Sequence, residues 1–219
     1  GRRSPAWGTA ATAASLPERA REYLPVLREV AGLKWPGFCR VDVLAAQVEQ
    51  ETCPSLKHRF CWNPRAELKT DREYGFGLGQ LTVTPRFNNF EAARGWDAEL
   101  RDWAWEDRFD ARRQLVALVV YDRNLWRSVP AAATDDDRLA FTLSAYNGGL
   151  GGLIKDRRLC AGEPACDPGR WWGHVERHSF RARTAVDGYA KSFYEINRGY
   201  VRDVMRVRSR RYSAWSTCE

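Results

Sequence analysis

Along most of this chain apolar side chains recur at three- and four-residue spacing, and nowhere do they alternate over a strand of any length. That restricts the fold to helices packed on helices, with room for little more than a short ribbon. Ser15 and Glu18 have capping-box spacing with Pro17 in the first turn, and Tyr23, Leu24, Leu27 and Val30 follow in register until Gly32 and the Trp35-Pro36-Gly37 turn. A second helix is expected from about Asp42 to Thr52, limited by Pro54. A third fits Ala111 to Trp126, capped by Asp110, with Leu115, Leu118, Val119 and Trp126 inward. Asp135 to Asp137 suit the start of a fourth, which runs to Asn147 with Leu139, Leu143 and Tyr146 on one face, and Gly148 and Gly149 stop it. A last helix spans about Ala185 to Met205, with Tyr189, Phe193, Ile196, Tyr200 and Val204 aligned. Residues 53–80 are rich in Pro, Gly, Asn and Asp and read as a long loop or a small irregular β-ribbon, a length that is usually functional. The 160s form a Cys/Gly/Pro loop. The expected class is mainly α, with residues 1–36 as an N-terminal extension and cap helix and 37–219 as the main domain.

The 44% hydrophobic and 29% charged composition is that of a globular chain. No apolar run approaches the ~18 residues of a membrane helix, and the first fifteen residues hold no apolar signal core. The net charge of +7, carried mostly by arginine, suits a polyanionic partner. Six scattered cysteines, without paired C-x-x-C spacing, fit disulfides in an oxidising compartment, and at least two are expected. Cys160 and Cys166 can close a local loop, and Cys218 needs a distant partner. His174 and His178 stand at i, i+4, but no metallohydrolase signature accompanies them, so no metal and no cofactor is expected. Trp62, Trp171 and Trp172 are candidates for stacking on sugar rings, with core filling as the alternative. The Arg-rich stretch from Arg202 to Arg211 reads as a solvated helix face or a basic patch for anionic surfaces.

One carboxylate stands out. Leu44, Val48 and Glu51 share one face of the second helix, and the apolar members of that face require burial. Glu49 projects nearly opposite and is expected in solvent. Desolvation and the negative end of the helix dipole would both keep Glu51 protonated, as a general acid requires. Further on, Asp71-Arg72-Glu73-Tyr74-Gly75-Phe76-Gly77-Leu78-Gly79-Gln80 combines glycines that let backbone approach a ligand with an amide that both donates and accepts. Ser144-Ala145-Tyr146-Asn147-Gly148-Gly149 then places a phenol and an amide at a helix end.

Glu51-Thr52, Gly77-Leu78-Gly79-Gln80 and Ala145-Tyr146-Asn147-Gly148-Gly149, in that order, resemble the soluble lytic transglycosylase and goose-type lysozyme superfamily. That family shows a Glu followed by Ser or Thr, then a G-L-M-Q-like element, then A-Y-N-x-G. The stretch from Asp71 to Gln80 is similar to the goose-type D-R-G-N-G-F-G-L-M-Q loop. Arg198-Gly199-Tyr200-Val201 looks like the end of the family's E-T-R-x-Y-V element. Gly79 replaces the usual Met, and Ile196-Asn197 replaces Glu-Thr. The resemblance implies a lysozyme-like helical fold and cleavage of the β-1,4 bond between N-acetylmuramic acid and N-acetylglucosamine in peptidoglycan. Glu51 is then the general acid. In a lytic transglycosylase the same group later takes the proton of the muramic C6 hydroxyl, giving a 1,6-anhydro product. In a hydrolytic lysozyme a second carboxylate, Asp71 or Glu73, positions water. Tyr146 holds the catalytic Glu, and Phe76, Gly77, Leu78, Gln80, Asn147 and Tyr200 line the substrate. The implied partner is the glycan strand, with no nucleic acid, and the implied protein is a periplasmic or secreted monomer, a phage lysis or virion protein included. The alternative of another class is a non-catalytic wall- or nucleic-acid-binding protein.

Overall fold

The computed structural model describes residues 16–181 and 191–219. The Ser15 cap and the start of the last expected helix, Ala185 and Tyr189 included, lie outside them. Seven α-helices carry the described chain: α1 (Ala20–Lys34), α2 (Val41–Thr52), α3 (Asn89–Ala93), α4 (Ala111–Arg127), α5 (Asp135–Gly148), α6 (Leu150–Ala161) and α7 (Phe193–Arg202). Three strands of three residues each, β1 (Glu67–Lys69), β2 (Tyr74–Phe76) and β3 (Leu81–Val83), form an antiparallel sheet in sequence order. Lys69 pairs with Tyr74 and Phe76 with Leu81. This is the mainly helical architecture with a small ribbon that a lysozyme-like chain requires.

The chain divides into two compact units. One runs as far as Val119 and takes up Arg206–Glu219, and the other is Val120–Met205. In the first, α1 packs on α2, and its Leu24, Leu27 and Val30 are fully buried. The C-terminal 3-10 segment Arg208–Trp215 covers another side of α2. Helix α2 is thereby wrapped, and every residue from Val41 to Glu49 is buried. In the second, α5 packs against α6 and α7. Thr134, rather than the aspartates after it, caps α5, its Oγ accepting the Asp137 N–H at 3.0 Å. Asp110 caps α4 as expected, accepting the Arg113 N–H at 2.9 Å.

Three helical readings are corrected. The first helix begins at Ala20, past the expected Ser15–Glu18 box, with Arg19 at its N-cap and no side-chain cap, and runs through Gly32 to Lys34. The last helix spans only Phe193–Arg202 among the described residues, capped by the Ser192 hydroxyl, and then loosens into a π-turn at Asp203–Val207. Its expected inward Phe193 is exposed, whereas Asn197 and Arg198 are buried. Helix α6, absent from the sequence reading, starts immediately after Gly149, whose φ of 88° breaks α5 and turns the chain into the next helix.

All six cysteines are paired: Cys39 with Cys218, Cys53 with Cys61, and Cys160 with Cys166. The first closes a separation of 179 residues. Constraining so long a loop removes about 5 kcal/mol of unfolded-chain entropy. No helix among the described residues is long and apolar enough to cross a membrane.

Candidate active site

In the first unit, Glu51 lies in the last turn of α2, half-buried, between side chains that are fixed. The Thr52 hydroxyl donates to Val48 O at 2.7 Å and accepts the Trp62 N–H at 2.9 Å. Cys53, at the C-cap, is tied to Cys61. Gln50 Oε1 accepts Arg208 Nε at 2.7 Å. Glu49 is not in solvent but fully buried, because the C-terminal segment occupies the face that a two-sided helix would leave open. Its Oε2 accepts Arg208 Nη1 at 2.8 Å, and its Oε1 accepts Arg211 Nε at 2.9 Å and the Tyr212 hydroxyl at 2.8 Å. Tyr212 in turn accepts the Trp62 indole N–H at 2.9 Å. Burial first, and the Glu49 charge second, push the Tyr212 phenol far above its ordinary range, so it remains a donor. Hydrogen bonds thus run from Thr52 through Trp62, Tyr212, Glu49 and Arg208 back to Gln50, around the turn that carries Glu51. Arg208 and Arg211, expected on a solvated face, are the partners of this buried carboxylate.

The ribbon places the glycine-rich element. Phe76 and Leu78 are buried: Phe76 meets Phe90, Trp103, Trp105 and Phe109 edge-on, and the Leu78 N–H donates to Gln114 Oε1 at 2.9 Å. These two side chains support the loop from beneath. Gln114 also donates to Pro64 O at 2.8 Å and Arg108 O at 2.9 Å, so it knits three loop segments. Gln80, with a φ of 48°, donates to Ala66 O and Gly77 O and braces the same loop. Gly77 has a φ of 81°, and a Cβ there would fall 2.5 Å from Gln114 Cδ. Gly77→Ala combines left-handed strain with loss of the Gln114 bonds, and is expected to cost about 2 kcal/mol. Chemical denaturation would measure it, and an unchanged midpoint would refute this account of the loop.

Asp71 and Glu73 are exposed in the turn between β1 and β2. The carboxylate that the ribbon does fix is Glu67, which sequence reasoning missed: its Oε1 accepts the Tyr74 hydroxyl at 3.0 Å. Burial, opposed by the hydrogen bond with Arg108, raises the Tyr74 pKa. Glu67 pairs with Phe76 across strands of three residues each, too short to show alternation in sequence.

In the second unit, Tyr146 and Tyr200 come together, their rings stacked at 6.5 Å and 10°. Tyr200 is nearly fully buried, Tyr146 half-buried and Asn147 exposed. Asn197, the departure from the family pattern, is an organising residue. Its Nδ2 donates to Ser144 O and Asn147 Oδ1, and its Oδ1 accepts from the Ser144 hydroxyl and Arg198. Arg198 is buried, pairs with fully buried Asp156 at 2.9 Å and donates to three loop carbonyls. Gly148 is required because a Cβ would meet Arg181 Nη2 at 2.5 Å, and that nitrogen donates to Gly148 O at 2.6 Å.

Over 54 residues the chain is 41% identical to a protein named membrane-bound lytic murein transglycosylase F from Maricaulis maris (strain MCS10). The match covers 25% of this chain and spans 12% of that relative. No protein-family model matches the chain.

Three aromatic candidates resolve by burial. Trp62 and Trp171 are fully buried, Trp171 against Phe141 and beneath Arg198, so both fill core rather than face a sugar. Trp172 is half-buried, its indole N–H donating to Asp136. His174 Nδ1 accepts the Asp167 N–H, and Cys160 and Cys166 are bonded to each other. Among the described residues no group of three His, Cys, Asp or Glu side chains is placed to hold a metal.

Proposed function

We propose that this protein cleaves peptidoglycan glycan strands as a lytic transglycosylase, with Glu51 as the acid and then the base. One observation carries the reading: α2 presents Glu51 half-buried at a helix end clamped by the Cys53–Cys61 disulfide and the hydrogen-bonded ring through Glu49. A general acid works when its proton is held in one place while the leaving oxygen develops charge. The likeness to a lytic murein transglycosylase supports the same chemistry.

In this reading Glu51 protonates the glycosidic oxygen as the muramic C1–O bond breaks. The resulting carboxylate takes the proton of the C6 hydroxyl as that oxygen closes on C1. Proton and bond counts balance without water. In the first unit, Gln80 and the Gly77 backbone are proposed to shape the loop against the glycan; in the second, Tyr146, Asn147 and Tyr200 are proposed as sugar-contacting residues. The three disulfides fit an exported protein, periplasmic or secreted. The hydrolytic reading asks more of the ribbon, because Asp71 and Glu73 stand exposed at its turn, and a base that activates water must be held at a fixed distance from the acid.

The test is mass spectrometry of purified sacculi after digestion. Muropeptides ending in 1,6-anhydro-muramic acid are expected. Reducing muramic ends would assign hydrolysis instead, and intact sacculi would overturn both.

A further inference from the structure

A cleft of about 750 Å³ opens in the first unit; Glu51 and the glycine-rich loop are not among its described lining residues, whereas Cys61 and Arg211, which belong to the support of the Glu51 turn, are. Three segments build it: the N-terminal end of α1, the disulfide-closed loop between Cys53 and Cys61, and the C-terminal segment. They bring Arg19, Arg21, Lys57, His58 and Arg211 to its walls, with Glu18 as the one carboxylate among the described lining residues. The buried Glu49 carboxylate is shared between Arg211 and Arg208.

The donors are preorganised. Arg19 is held by its Nη1 on the carbonyls of Arg59 and Cys61, which fix the guanidinium without neutralising it. His58 Nδ1 accepts the Phe60 N–H at 3.0 Å, so a neutral His58 keeps its hydrogen on Nε2 and is a donor. Lys57 makes no hydrogen bond or ion pair among the described residues. Its loop is closed by the Cys53–Cys61 bond. Guanidinium and ammonium groups from separate segments suit oxyanions of more than one charge. The volume far exceeds one phosphate group, so the ligand is extended. The remaining walls are aliphatic, from Leu16, Pro17 and Leu56, and His58 is the sole aromatic ring among the described lining residues. Single-stranded nucleic acids are gripped by aromatic platforms that stack on bases, and none is among the described lining residues.

We propose that the cleft binds a polyol phosphate polymer, a chain of phosphodiester-linked polyols, independently of any cleavage at Glu51. Its phosphates meet Arg19, Arg21, Lys57 and Arg211, and its carbon backbone lies along Leu16, Pro17 and Leu56.

The experiment titrates the whole protein with poly(glycerol phosphate), with a single-stranded oligonucleotide of equal charge, and with inorganic phosphate. The polymer is expected to bind at least tenfold more tightly than the oligonucleotide, and inorganic phosphate to compete only at far higher concentration. Lys57→Glu, on an exposed loop position, is expected to weaken polymer binding at least tenfold at unchanged melting temperature. It should also lower the slope of log affinity against log salt by about one. Glu51→Gln is expected to bind as the wild type does. Absence of polymer binding, or wild-type affinity in Lys57→Glu, overturns the proposal. Oligonucleotide binding as tight as the polymer's assigns a nucleic-acid surface and overturns it too. Phosphate competing as well as the polymer reduces the cleft to a single-anion site.

Discussion

Glu51→Gln is expected to lower the rate of glycan cleavage by roughly a thousandfold or more, the contribution of a positioned general acid. The amide keeps the volume and the half-buried contacts of the native side chain, so the fold should be unchanged within the ~0.5 kcal/mol typical of such sites. Glu51→Asp sharpens the test. It keeps the acid but withdraws it by one methylene on a helix end that Thr52, Cys53 and Gln50 hold in place. A rigid support cannot follow the retreating carboxyl, and a displacement of about 1 Å costs on the order of a hundredfold. The two variants should therefore fall in order, Gln below Asp, with native melting curves. Anhydro-muropeptide release against time, at matched folded concentration, is the measurement. Wild-type release by Glu51→Gln would remove Glu51 from the chemistry while leaving the architecture as it stands.

What could be read beforehand follows from how far apart in sequence the determining contacts lie. Helices α2, α4 and α5 were legible because their apolar positions are local, and for α4 the cap is too: Asp110 and the Leu115–Leu118–Val119 stripe need no knowledge of a partner. The ribbon could be placed only as a region, since three-residue strands are too short to alternate. Helix α6 was hidden by four glycines between Gly148 and Gly152, which read as a stop, yet Gly149 both ends one helix and opens the next. The environment of Glu51 was half legible. Helical spacing placed it beside Leu44 and Val48, but the same projection assigned Glu49 to solvent. The groups that bury Glu49 come from residues 159 to 163 positions later, and no local pattern announces them. Asn197 was noticed as a departure from the resemblance. Its role depends on Ser144 and Asn147, about fifty residues earlier, and so it became visible only in the fold.

Glu49→Ala is expected to be the most destabilising single substitution in the first unit. The carboxylate is fully buried and satisfies two guanidinium groups and a phenol. Removing it leaves Arg208 and Arg211, each about a quarter exposed, without their anion, and leaves the Tyr212 hydroxyl without its acceptor. Breaking a buried ion pair from one side costs about 3–5 kcal/mol. The residual exposure of both arginines puts this case near the lower figure, a fall of roughly 6–12 °C in melting temperature for a chain of this size. Glu49→Gln should cost less, because the amide oxygen can still accept from Tyr212 or one arginine. Tyr212→Phe separates packing from hydrogen bonding: it keeps the ring against Trp62 but strips the bond to Glu49 and the acceptor of the Trp62 N–H. The expected order of stability is wild type, Tyr212→Phe or Glu49→Gln, then Glu49→Ala, measured by thermal unfolding with the disulfides intact. The same variants should exchange the amide hydrogens of residues 50–53 faster, since the ring they open encloses that turn. A Glu49→Ala protein that melted with the wild type would mean that the C-terminal segment is held to α2 by the Cys39–Cys218 bond and apolar contact alone, and that the buried charge network contributes nothing to the support of Glu51.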